Sequence, residues 1–133
     1  GHVIGDKVLK AVGSVLLGEI RSTDTPVRYG GEEFAIFMPM QTVEAGVQFA
    51  ERLRQKIEKI KFLSTDKKKR FSVTISVGVA SHQQKESLQK LIQRADEKMY
   101  QAKDSGRNKV CVASVDKSKI EQKIASKEKV VST

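Results

Sequence analysis

Two adjacent glycines, Gly30 and Gly31, stand between the short apolar runs Val27-Arg28-Tyr29 and Phe34 to Met38. Tight two-residue turns need positive φ, which glycine adopts without steric cost, so this arrangement predicts an antiparallel hairpin. Pro39 closes its second strand. On both sides of the hairpin the apolar period lengthens to that of a helix. Upstream, Val8, Val12, Leu16 and Ile20, widened by Leu9 and Val15, predict a helix over 5–21. Asp6 is expected in its first turn, where the helix dipole favours a carboxylate. Thr23-Asp24-Thr25-Pro26 ends it. Downstream, Val43, Val47, Ala50, Leu53, Ile57 and Ile60 trace one face of a helix over 42–60.

Beyond a charged loop through Thr65 to Arg70, residues 71–79 alternate. Phe71, Val73, Ile75, Val77 and Val79 face one way, and Ser72, Thr74, Ser76 and Gly78 the other, as in a strand. A third helix is expected from about Glu86 to Asp104, with Gly106 as its stop, followed by a strand over Val110 to Ala113. The order of helix, hairpin, helix, strand, helix, strand predicts an α+β fold, a mainly antiparallel central sheet flanked by helices. Residues 1–113 form the expected domain. Residues 114–133, rich in Lys and Ser, are expected outside it as a frayed helix or disordered tail.

A length of 133 residues suits one domain with a modest core. No apolar run approaches the ~18 residues of a membrane span, and no signal-peptide pattern is visible. The single cysteine, Cys111, lies in an apolar run and reads as a small core residue, which fits a cytoplasmic setting. The net charge of +9 fits anionic partners such as nucleotides, or simply solvated helix faces. No aromatics interleave the cluster Lys67-Lys68-Lys69-Arg70 or the basic tail, so nucleic acid is not an expected partner.

The chemistry concentrates at the hairpin. Arg28-Tyr29-Gly30-Gly31-Glu32-Glu33-Phe34 puts two adjacent carboxylates beside glycines that leave room for a bulky ligand. Carboxylates there can hold Mg²⁺, a hard cation that shares its coordination sphere with substrate phosphates. The same pair could equally be a polar hairpin tip. The segment resembles the signature of the GGDEF family, the catalytic module of bacterial diguanylate cyclases, in its GGEEF form. Three further segments extend the resemblance in order along residues 1–110. Gly1 to Asp6 is similar to the family's GHxxGD, Phe71 to Ala80 to its penultimate strand, and Ala95 to Lys103 with Gly106-Arg107-Asn108 to its ADxxMYxAKxxGRN.

The resemblance implies a nucleotidyl-cyclase-like fold with a ferredoxin-like core. It implies condensation of two GTP molecules into cyclic di-GMP and two pyrophosphates by two domains facing each other as a homodimer. It makes Glu32 the metal ligand and candidate general base, and Glu33 a second acid at a Mg²⁺ (or Mn²⁺) site. Gly30 and Gly31 then leave room for the nucleotide, Asp6 reads the guanine edge, and Lys103 and Arg107 clamp the terminal phosphates. Their spacing of four puts both cations on one helix face if the helix persists. Arg21-Ser22-Thr23-Asp24 is similar to the family's RxxD product-inhibition site, which Arg52 would complete. An arginine can fork onto phosphate, and Asp accepts from guanine N–H groups.

The family's domain begins with a strand bearing a metal-binding Asp and a helix with further nucleotide contacts. Neither precedes the GHxxGD-like segment here, so this fragment is expected to be N-terminally truncated and inactive by itself. The parent protein is expected to carry an upstream sensory domain and is open to membrane anchorage. The competing reading is a receptor that binds cyclic di-GMP at the RxxD site without catalysis.

Overall fold

The computed structural model describes residues 2–28, 30–113 and 126–132, with residues 2–4 and 126–132 described by backbone alone. Its elements run α1 (His2–Glu19), β1 (Thr25–Arg28), β2 (Glu33–Pro39), α2 (Val43–Glu58), β3 (Phe62–Leu63), β4 (Arg70–Phe71), β5 (Ser76–Ser81), α3 (Leu88–Asp104), β6 (Lys109–Val112) and β7 (Ser126–Ser132). Among the described residues, one sheet has the order β1-β2-β7-β5-β6, and β3 and β4 form a separate small ribbon. All neighbours in the large sheet are antiparallel except β5 and β6. The expected α+β architecture with a mainly antiparallel sheet is the one observed.

Helices cover both faces of the sheet, and the strand period explains which residue goes where. On one face Ile36 and Met38 of β2 and Val77 and Val79 of β5 pack against Val12 and Leu16 of α1 and Phe49, Leu53 and Ile57 of α2. On the other, Ala35 and Ala80, with Phe37, meet Leu91 and Ala95 of α3. The apolar stripes of α2 and α3 are thus spent on opposite sides. Thr42 and Ser87 cap these two helices, each hydroxyl accepting a backbone N–H three residues on, from Ala45 at 3.0 Å and Lys90 at 3.1 Å.

The structure departs from the sequence reading in several elements. Helix α1 already begins at His2, so Asp6 sits beyond its first turn. The single strand expected over 71–79 is divided. Phe71 pairs with Phe62 in the small ribbon, their rings stacked 5.5 Å apart, and only Ser76–Ser81 joins the main sheet. That strand has no polar face either. Every residue of it is buried, because α3 lies over the side that carries Ser76, Gly78 and Ala80. Gly78 permits this approach, since a Cβ there would come within 1.9 Å of the Ala95 carbonyl oxygen.

The largest departure is in the segment expected to be a frayed helix or disordered tail. Ser126–Ser132 instead forms β7, in the middle of the sheet, antiparallel to β2 and β5. A strand inserted between two apolar neighbours satisfies backbone groups on both edges, a demand that a count of its own sparse apolar residues does not register. The rest of that expected tail, residues 114–125 and 133, lies outside the described residues, as do Gly1 and Tyr29.

Candidate functional site: the hairpin and the end of helix α3

Strands β1 and β2 pair from Thr25 with Phe37 to Arg28 with Phe34, which places Gly30 to Glu33 at the end of the hairpin. The connection is longer than the expected two-residue turn. The glycines serve a different purpose as well: among the described residues, Gly106 is the only glycine with positive φ. Gly30 is needed for proximity, since a Cβ on it would lie 3.1 Å from the Cβ of Glu33. Gly31 opens onto free space. Arg28 fastens the turn by donating to the Gly31 carbonyl, with its guanidinium carbon 5.9 Å from the centre of the Phe34 ring.

The two carboxylates separate. Glu32 is exposed at the tip, whereas Glu33 opens β2 and is half-buried on the side of α3. There Tyr100 of α3 donates its hydroxyl to Glu33 Oε1 at 3.4 Å. Lys103, one turn later, places Nζ 5.6 Å from the Tyr100 ring centre. The structure therefore brings Glu33, Tyr100 and Lys103 into one row from hairpin to helix. Glu33 is the first cause of a raised Tyr100 pKa, because a nearby carboxylate disfavours the phenolate; Asp96 adds to it. Tyr100 stood inside the closing motif of the sequence, but nothing in spacing alone gave it a role.

Arg107 does not share a helix face with Lys103. Helix α3 ends at Asp104, and Gly106, Arg107 and Asn108 all take positive φ, at 116°, 62° and 49°. The turn is closed by Arg107 N–H donating to the Ala102 carbonyl at 2.9 Å. It is also held from α2. Arg54 donates to Asn108 Oδ1 at 2.8 Å, and Asn108 Nδ2 donates to Glu58. These contacts fix an exposed Arg107 in a conformation that a non-glycine residue seldom adopts.

Asp6 is exposed on α1 and lines a cleft of about 440 Å³ with Lys7, Leu9, Lys10, Arg28 and Phe34. The cleft thus reaches from α1 to the base of the hairpin. A basic and apolar lining beside one carboxylate can receive an anionic ligand with a flat polar group. Glu32 and Glu33 carry the hard oxygen donors that Mg²⁺ prefers, a fit in chemistry only, since the two carboxylates diverge. Among the described residues no group of three or more His, Cys, Asp or Glu residues clusters to hold a metal.

The RxxD pair is formed. Asp24 has a fully buried side chain, accepts the Arg21 backbone N–H at 2.8 Å and takes Arg21 NH2 on Oδ1 at 2.9 Å. The same guanidinium nitrogen donates to the Pro39 carbonyl at 3.0 Å. Arg52 is turned to Glu19, the last residue of α1, with Nε 3.1 Å from Oε2.

The diguanylate cyclase, GGDEF domain family matches residues 1–109, a span that holds the hairpin, the RxxD pair and the end of α3. The chain belongs to the GGDEF domain family. It is similar to the response regulator PleD of Caulobacter vibrioides, at 41% identity over 111 residues, covering 83% of this chain and 24% of that protein. It is also similar to diguanylate cyclase A of Treponema denticola, at 40% identity over 114 residues, covering 85% of this chain and 30% of that one. The chain therefore spans less than a third of either relative. Among solved structures, the GGDEF domain of DgcB from Caulobacter crescentus in complex with c-di-GMP aligns with a TM-score of 0.80 and 30% identity, over 84% of this chain and 66% of that one. Diguanylate cyclase SiaD from Pseudomonas aeruginosa, in complex with its activator SiaC, aligns with a TM-score of 0.78 and 34% identity, over 85% of this chain and 43% of that one. Among the described residues, no helix of this GGDEF domain is long and apolar enough to cross a membrane.

Proposed function

We propose that this GGDEF domain is the catalytic part of a diguanylate cyclase that condenses two GTP molecules into cyclic di-GMP. The observation that carries the reading is the GGEEF hairpin itself, a turn with carboxylates that is open at Gly31, in a chain 41% identical to PleD over 111 residues. Two domains face each other, each with one GTP. In each half-reaction a 3′-hydroxyl oxygen bonds to the α-phosphorus of the opposing nucleotide. The bond to the bridging oxygen breaks, pyrophosphate leaves, and the hydroxyl proton passes to a base, for which Glu32 is the candidate. Protein groups contribute mainly position and charge.

In this reading Glu32 and Glu33 hold Mg²⁺ or Mn²⁺, which when bound neutralises phosphate charge. Asp6 reads guanine at the mouth of the cleft, and Gly30 and Gly31 admit the nucleotide. Lys103 and Arg107 bind terminal phosphates from separate elements, the helix end and the turn after it. Arg21, Asp24 and Arg52 form a product-inhibition site. The domain works in the cytoplasm as part of a longer protein with a sensory region. The longer protein is expected to be active.

The test is turnover by the longer protein with GTP and Mg²⁺. Glu32→Gln keeps shape but loses the charge that holds a hard cation, so cyclic di-GMP formation should vanish with the fold retained. Lys103→Ala should raise KM for GTP while guanosine binding is unchanged, because guanosine carries no phosphate. Full turnover in Glu32→Gln would remove its assigned role. The formed Arg21–Asp24 pair supports a second reading, a cyclic di-GMP receptor without catalysis. A longer protein that binds cyclic di-GMP but never makes it would establish that alternative.

A further inference from the structure

The carboxylate of Glu19 ties the end of α1 to α2. It accepts Arg52 Nε on Oε2 at 3.1 Å and Lys56 Nζ on Oε1, so two cations one turn apart on α2 converge on it. Its side chain is mostly covered, at 17% exposure, whereas those of Arg52 and Lys56 are each about half exposed. Glu19 lies two residues before Arg21, whose guanidinium is held by Asp24 and the Pro39 carbonyl. Arg52 commits only Nε to Glu19. Its two terminal nitrogens have no protein hydrogen-bond partner among the described residues. The arrangement is thus a cationic surface with an anion of its own already seated in it.

We infer that Glu19 is the internal counter-ion of the Arg21–Asp24–Arg52 site and sets its selectivity by competing with the ligand's phosphate for Arg52 and Lys56. The inference rests on the product-site reading of that region. A phosphodiester approaching Arg52 must share or displace the Glu19 carboxylate. Simple phosphates offer only charge, and the internal carboxylate already satisfies that. A ligand that also engages Arg21, whose side chain Asp24 holds while leaving it 44% exposed, gains a contact that Glu19 does not contest. Lys56, which the sequence pattern did not single out, becomes part of the site through Glu19. The carboxylate is held ionised, since hydrogen bonds from Lys56 and then Arg52 lower its pKa.

Calorimetric titration of this chain with cyclic di-GMP, and separately with inorganic phosphate, tests the inference. Removing the competing charge with Glu19→Gln should tighten cyclic di-GMP binding by about three- to tenfold, the scale of one or two partly exposed ion pairs. It should also make inorganic phosphate binding measurable and steepen the salt dependence of both. Lys56→Met in the Glu19→Gln background should reverse part of that gain. Arg21→Ala should remove binding with or without Glu19. Unchanged or weaker binding in a folded Glu19→Gln chain, while wild type still depends on Arg21, would overturn the counter-ion role alone and leave Glu19 as a tie between helices. No cyclic di-GMP binding by folded wild type would remove the product-site reading and this inference with it.

Discussion

The Tyr100 hydroxyl donates to Glu33 Oε1 at 3.4 Å, linking the second carboxylate of the GGEEF turn to the helix that ends at Asp104. The contact has a consequence that is readable without turnover. A phenolate beside a carboxylate is disfavoured, so Tyr100 should titrate above the ordinary tyrosine range while Glu33 is ionised. Glu33→Gln removes the largest cause, leaving Asp96 as the lesser one. Ultraviolet difference titration of both proteins should show one tyrosine moving down in the mutant. The second tyrosine, Tyr29, is removed from the signal by measuring in a Tyr29→Phe background. An unmoved titration would mean that Glu33 and Tyr100 do not meet in solution.

Much of this arrangement was legible in the sequence, and the failures have physical causes. The stripes of α2 and α3 announced themselves because each helix buries one face and solvates the other. Strand β5 misled, since alternation of Val with Ser or Gly looks like a half-exposed strand. Small residues at Ser76 and Gly78 in fact let α3 approach closely. A spacing of four puts Arg107 on the helix face of Lys103 only if the helix persists, and Gly106, the stop legible in the sequence, ends it first. The RxxD pair was legible as a motif, and the structure adds what a motif could not. Asp24 is buried and already bonded to Arg21, and Arg52 is held by a glutamate that no motif marks.

Glu19 also predicts how stability depends on acidity. Its folded-state pKa lies below the ordinary glutamate value because Lys56 and Arg52 hydrogen-bond the ionised form. A group with a lowered folded pKa stabilises the fold above its unfolded pKa and loses that contribution as pH falls through the folded value. Wild type should therefore lose melting temperature on acidification through the region below pH ~4.5, the unfolded glutamate range. Glu19→Gln should start lower at neutral pH and show a smaller loss over the same interval. The effect is modest, because the cations that partner it are half exposed and screened by solvent. Parallel melting curves for the two proteins would show that Glu19 does not contribute in this way.

Strand β7 gives the strongest test of where the domain ends. Its backbone pairs with β2 from Glu33–Ser132 to Pro39–Ser126, and with β5 from Ser76–Ser132 to Ser81–Lys127. Both neighbours are largely buried, so removing residues 114–133 would open two adjacent strand edges inside the sheet. Open, apolar edges pair with other chains. Residues 1–113 alone should therefore show a raised mass by light scattering, lower solubility and a lower melting temperature. Yet the sequence of β7 is a poor match for a central position, with Lys127, Glu128 and Lys129 in succession. Lys129 is registered between Ile36 and Val79, both fully buried. Strands covered on both faces are ordinarily near-continuous apolar runs. Lys129→Val should accordingly raise the melting temperature of the whole chain. If residues 1–113 remain monomeric and melt where the whole chain does, β7 contributes nothing and the domain closes at Ala113, the boundary its composition suggests.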